Sequence, residues 1–230
     1  MNYLLIFFFL FWPPFLLAAA IQVTPIRIHL NETMPIATLT LVNKASTPIM
    51  LETQSTHWTQ KSGEDVYTPT KALIVSPPII SLEPGKSQLV RVALRHQEVL
   101  TEEDAFRIFV QEIPQYHVGN APGVEFALRF GIPAFIAPIH PTYSLEWHTA
   151  VKKGMLKLKV INNSNTHIQF THLDLINPES QKLLDSQSVF IYLLPHQSKT
   201  WEFKLKTFPH NALLIHAATD HGPVSTTITL

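Results

Sequence analysis

Cysteine is absent from the 230 residues. Disulfide staples, thiol catalysis and cysteine-ligated metals are thereby excluded, and each folded unit must rest on a conventional hydrophobic core. Charge of one sign is lacking too, since 17 Lys and Arg balance 17 Asp and Glu, so no basic surface points to nucleic acid. The 12 histidines fall in no His-x-His or His-Glu-x-x-His spacing, which predicts no metal site and reads them as scattered surface residues. No Gly-x-Ser-x-Gly elbow, Walker loop or dinucleotide fingerprint occurs, and Glu102-Glu103-Asp104 reads as a solvated loop, so neither an enzyme nor a cofactor is expected. No window holds a 3.6-residue apolar period, and after the N-terminus no run approaches the ~18 apolar residues of a membrane span.

What is present begins with an export signal. An apolar stretch runs from Tyr3 to Trp12, Pro13-Pro14 breaks it, and Ala18-Ala19-Ala20 fits the small-x-small cleavage rule. Residues 1–20 are therefore read as a signal peptide, with the mature chain starting near Ile21. No Lys or Arg precedes the apolar stretch, so a retained anchor is the alternative.

The remainder alternates Val, Ile, Thr and Phe between Pro, Gly, Asn and Ser, the pattern of short strands and turns. Strands are expected near 22–30, 36–43, 48–58, 66–75, 87–95, 105–113 and 124–136. After Pro138 and Pro141, which mark a stiff linker, they restart near 143–148, 155–162, 166–176, 188–194, 199–206, 212–218 and 224–229. The class is all-β, with an immunoglobulin-like sandwich over 21–138 and a second β-sandwich over 139–230.

The run Val124 to Ile132 sets Val124, Phe126, Leu128, Phe130 and Ile132 on one face and Glu125, Ala127, Arg129 and Gly131 on the other. Such a row either packs into its own core or is lent to another chain. The small and polar residues opposite would fill a core poorly, which favours Phe126 and Leu128 facing a partner.

Four blocks carry a resemblance. They are Val23-Thr24-Pro25-Ile26-Arg27, Val75-Ser76-Pro77-Pro78-Ile79-Ile80-Ser81-Leu82-Glu83-Pro84-Gly85-Lys86-Ser87-Gln88-Leu89-Val90-Arg91-Val92, Phe106 through Glu112-Ile113-Pro114, and the alternating strand ending Phe135-Ile136-Ala137-Pro138. In this order the chain resembles the PapD-like periplasmic chaperones of pilus assembly over nearly all of its mature length. The resemblance implies two immunoglobulin-like domains in a boomerang arrangement and a periplasmic location. It also implies partners: pilus subunits lacking their final strand, which the chaperone completes with its seventh strand, and an outer-membrane usher that receives them. Self-association of the subunit-free chaperone through that strand is a further expectation.

The resemblance also implies an anchor for the subunit's terminal carboxylate. Arg27 aligns with the family's first-strand arginine, but Pro133 stands where the second anchor, a seventh-strand lysine, is usual. Arg107 and Arg129 are the substitutes, a departure shared with the divergent archaic branch. Ala137 replaces the arginine of the family's inter-domain ion network, so its acidic members, Glu112 and Asp220, are expected to be solvated. Gln115 to Gly123, with Gly119, Asn120 and Pro122, has the composition of a loop that orders on capture. The alternatives are an exported immunoglobulin-like adhesin, or a chaperone of a non-fimbrial surface polymer.

Overall fold

The computed structural model describes residues 21–96, 99–114, 127–205, 208–209 and 211–230. They form strands and turns and, among the described residues, no helix. The first half contains β1 (Ile21–Thr24), β2 (Ile28–Leu30), β3 (Ile36–Asn43), β4 (Ile49–Lys61), β5 (Glu64–Pro69), β6 (Leu73–Ser76), β7 (Ile79–Leu82), β8 (Ser87–Leu94), β9 (Asp104–Glu112) and β10 (Arg129–Ile136). The second contains β11 (Leu145–Lys152), β12 (Met155–Asn162), β13 (Ile168–Asn177), β14 (Lys182–Leu193), β15 (Ser198–Phe203), β16 (Ala212–Thr219) and β17 (Gly222–Thr229).

Each half is a two-sheet sandwich. In the first, β1-β3-β8-β6 packs against β2-β10-β9-β4-β5, with β7 also paired to β4. In the second, β11-β12-β15 packs against β14-β13-β16-β17. Alternation decides which residues face inward: Leu39, Leu41, Val90 and Val92 are buried while their neighbours Thr38, Leu89 and Arg91 are exposed. Leu156, Leu158, Val160, Phe170 and Phe203 do the same for the second core.

Several expected strands divide. The run 22–30 breaks at Pro25 into β1 and β2, which join different sheets, because proline offers no N–H to continue the ladder. The run 66–75 separates into β5 and β6, and β7 follows Pro77-Pro78 as a strand the proline pair concealed. The run 124–136 is a strand from Arg129, while Val124 and Phe126 lie outside the described residues, as does the loop 115–123. Hairpins β4–β5 and β11–β12 turn on Ser62-Gly63 and Lys153-Gly154, all four at positive φ, the conformation that matches the twist of two-residue hairpins.

Both sandwiches use the same buried asparagine. Asn43 closes β3 and Asn162 closes β12, and both are fully buried. Asn43 Nδ2 donates to the Thr47 and Leu82 carbonyls at 2.9 Å, and its Oδ1 accepts the Ala45 N–H at 2.8 Å. Asn162 Nδ2 donates to the Thr166 and Leu193 carbonyls at 2.8 and 2.9 Å, and its Oδ1 accepts from Ser164 N at 2.9 Å. Each carboxamide thus ties a strand end to a distant strand and satisfies buried backbone groups. Orphaning such groups costs about 1–3 kcal/mol apiece. Asn162→Leu should lower unfolding free energy by at least about 2 kcal/mol in chemical denaturation; an unchanged midpoint would mean water replaces the amide.

Candidate functional site

The open element of the first sandwich is β10. It pairs antiparallel with β9 over Arg129–Ile136, and on its other side parallel with β2, but only over Ala134–Ile136. From Arg129 to Pro133 that second edge has no strand beside it among the described residues. The Glu112 N–H donates to the Leu128 carbonyl at 2.8 Å, which sets the phase of the ladder. Alternation then turns the Phe130 and Ile132 amides toward β9 and the Arg129 and Gly131 amides outward, while Pro133 has none. A row of unpaired donors and acceptors is a template for another chain's strand.

The apolar row of this strand lies on the core side. Ile132 is 3 % exposed within the first core, and Leu128 and Phe130 are half-buried against the same cluster. Ile132 therefore belongs to the domain's own interior, because Ala134 and Ile136 continue its face into the sandwich. Leu128 and Phe130 keep part of their surface open, toward the end where β10 leaves the covering sheet.

On the opposite face, Arg107 of β9 sits directly across from Pro133 in the register. Its guanidinium lies 3.8 Å over the Trp58 ring and 5.8 Å from Tyr67 and Tyr192. Gly131 makes room: a Cβ there would stand 3.2 Å from Arg107 Cδ and from Phe109 Cε1. The hydrogen bonding of Arg107 is thin, with Nη1 3.4 Å from the Gly131 carbonyl, Nη2 3.9 Å from Asp65, and buried Nε without a partner. It borders a cleft of about 420 Å³ between the sandwiches, whose other wall is Phe190, Tyr192 and Lys199. Gln60 joins the walls, donating to the Tyr192 carbonyl at 2.9 Å and accepting from Leu194 N at 3.0 Å. Arg129 stands apart, stacked 3.8 Å over Phe109.

Arg27 reaches the same aromatic centre from the connection between β1 and β2, 5.2 Å from the Tyr192 ring. Its donors are engaged: Nη1 meets Asp220 at 2.8 Å and Nη2 donates to Gln169 Oε1. Asp220 is thus paired rather than solvated, with Arg27 replacing the base missing at Ala137. Its other oxygen accepts the Gln169 N–H at 2.8 Å. Glu112 remains local, accepting from Leu128 N at 3.3 Å.

The acidic triplet is only in part a solvated loop: each carboxylate meets a histidine, and Glu102 and Asp104 stay open to solvent while Glu103 is buried. Glu102 pairs with His196 at 2.9 Å, Glu103 with His167 at 2.7 Å and Asp104 with His57 at 2.8 Å. The first two pairs cross between the sandwiches. His167 and Glu103 are each 4 % exposed, which removes this histidine from the surface set that sequence spacing suggested. Burial pushes the Asp220 carboxyl up, but its contact with His167, the Gln169 amide and nearby charge outweigh that and bring its pKa to about 2.

Residues 20–141 match the PapD N-terminal domain family, described as the pili and flagellar-assembly chaperone. Solved structures share the fold over both halves. A chain of the CsuC–CsuE chaperone–tip adhesion subunit pre-assembly complex, from the archaic chaperone–usher Csu pili of Acinetobacter baumannii, is 19 % identical with a TM-score of 0.67, covering 92 % of this chain and 98 % of that one. The YadV chaperone is 17 % identical with a TM-score of 0.64, covering 92 % and 100 %. A chain of the Salmonella enterica SafA pilin–SafB chaperone complex is 17 % identical with a TM-score of 0.62, covering 91 % and 96 %. A search of curated protein sequences gives no match.

A carboxyl depressed to about 2 stabilises the fold above the unfolded value near 3.9, and that stabilisation is lost as pH falls through the folded value. Melting temperature should therefore drop between about pH 4 and pH 2, and Asp220→Asn should flatten that limb. Equal acid slopes in both proteins would remove Asp220 from the clamp.

Proposed function

The chain belongs to the PapD family of pili and flagellar-assembly chaperones, and from that premise we propose an exported chaperone that completes pilus subunits lacking a strand. The open edge of β10 supports this reading most directly. A subunit strand laid along Arg129–Pro133 satisfies the outward amides, and the subunit groove covers what Leu128 and Phe130 leave exposed. Each of these side chains contributes roughly 1.5–3 kcal/mol when fully buried, while the backbone bonds mainly set register. Val124 and Phe126 continue the row at sequence level. A second copy of the chaperone can compete for the same edge, and an outer-membrane usher takes the loaded subunit.

The terminal carboxylate is held in the inter-domain cleft. Arginine grips a carboxylate through paired charge-assisted bonds, and Arg107 has the donors to do so, whereas Arg27 is committed to Asp220 and Gln169. Arg107 is therefore the principal anchor. Arg27 supports the cleft wall, and Arg129 lies along the path of the strand. Residues 1–20 direct the chain to the periplasm, and residues 21–138 and 139–230 are its two domains.

Affinity capture from the native periplasm, with mass spectrometry of co-eluting chains, tests the proposal. Wild type should retain a small exported β subunit. Leu128→Asp should lose it while remaining soluble, and Arg107→Ala should weaken capture about tenfold or more, as expected for a bond of roughly 1.5–3 kcal/mol. Identical profiles for all three proteins would overturn strand donation. A stronger loss with Arg27→Ala than with Arg107→Ala would return the anchor to Arg27.

A further inference from the structure

Four ionisable groups converge where the two sandwiches meet. His167 precedes β13 of the second sandwich, and its Nδ1 lies 2.7 and 2.9 Å from the two oxygens of Glu103, on the loop before β9 of the first. The Glu103 carboxylate also accepts the His167 backbone N–H at 3.0 Å. On the far side of the ring, Nε2 is 3.3 Å from Asp220 Oδ2, close enough for charge attraction though too misaligned for a hydrogen bond. Asp220 in turn holds Arg27 of the first sandwich. The ring lies flat on Phe135 of β10, with centroids 3.6 Å apart at 11°.

We propose that His167 is the positioning residue that docks the second sandwich on the first, and that its protonation sets the cleft in which a subunit is captured. The charge balance requires the proton. With imidazolium at His167, two cations (His167 and Arg27) face two carboxylates (Glu103 and Asp220). Loss of the proton leaves one uncompensated negative charge in a largely dry interface, where unpaired charge is costly. The dyad ties Glu103 to the second sandwich through both ring and backbone, so a weaker ion pair loosens the contact that aligns Arg27, Tyr192 and Arg107 along the cleft.

Two further imidazoles face this ring, and one of them, His221, has Nε2 3.8 Å from Asp220 Oδ1. His29 of β2, 6.3 Å away, has its pKa lowered by burial and by Arg27 and His167. His221, beside Asp220, is 6.2 Å away and directs Nε2 at the His167 carbonyl, 3.3 Å distant. Phe135 and Tyr192 supply uncharged ring faces. Burial pushes His167 down, but its contacts with Asp220 and Glu103 outweigh burial and the pKa is raised. A raised histidine contributes its docking energy fully below the unfolded value near 6.5, and that contribution is lost as pH rises through the folded value. The clamp is therefore strongest in mildly acidic conditions and loosens toward alkaline pH.

The link to capture rests on the chaperone reading; the docking itself is tested on the subunit-free mature chain. Imidazole NMR should place the His167 titration above about pH 6.5, and Glu103→Gln should move it down. Small-angle scattering should show the radius of gyration growing across the same titration in wild type and independent of pH in His167→Gln. Titration at or below about 6.5, or a radius unchanged across a titrating His167, would overturn the proposal even if His167→Gln failed to fold. Both outcomes leave the capture reading intact, since that reading fails only if Leu128→Asp and Arg107→Ala capture the same chains as wild type.

Discussion

The contact between the sandwiches is the constraint on which the rest depends. Each half closes its own core, and the halves are joined by the charged chain of Arg27, Asp220, His167 and Glu103, with Gln60 and the Glu102–His196 pair beside it. Around that chain, Trp58, Ala105, Phe135 and Leu194 form a small apolar cluster packed by Tyr192. Ion pairs taken out of water gain little net energy, yet breaking one leaves a buried charge that costs about 3–5 kcal/mol. Such a contact holds an orientation more strictly than its net strength suggests.

That orientation divides the labour among the arginines. Arg27 is spent on docking, so the first-strand position contributes to the cleft wall. Arg107 lies across from Pro133 in the ladder, given room by the missing side chain at Gly131 and faced by the rings of Trp58 and Tyr67. A rigid cation poised beside an open strand edge can fix both the end and the register of an incoming strand.

Much of the fold was legible in the sequence because strand alternation is local. Leu39-Thr40-Leu41 and Leu156-Lys157-Leu158 state their inward faces without reference to distant residues. Of the seventh-strand row, Leu128, Phe130 and Ile132 share one face as the alternation implied, though the sequence did not show where that face turns inward: Ile132 enters the domain's own core as β10 approaches its parallel pairing with β2 over Ala134–Ile136. β7 stayed hidden behind two prolines, since proline signals a break more loudly than four residues signal a strand. The clamp was least legible. Glu103 and His167 are 64 positions apart, and nothing local distinguishes a triplet that reaches across to histidines from a solvated acidic loop. The one hint was Asp220, aligned with an acidic network position whose arginine is replaced by Ala137.

The claim that β10 lends its edge is tested most directly by amide exchange at Arg129 and Gly131, whose N–H groups point away from β9. Both should exchange quickly in the subunit-free chaperone and become strongly protected with a subunit bound, while Phe130 and Ile132, bonded to β9, change little. Equal exchange at Arg129 and Gly131 in the two states would contradict strand donation at this edge.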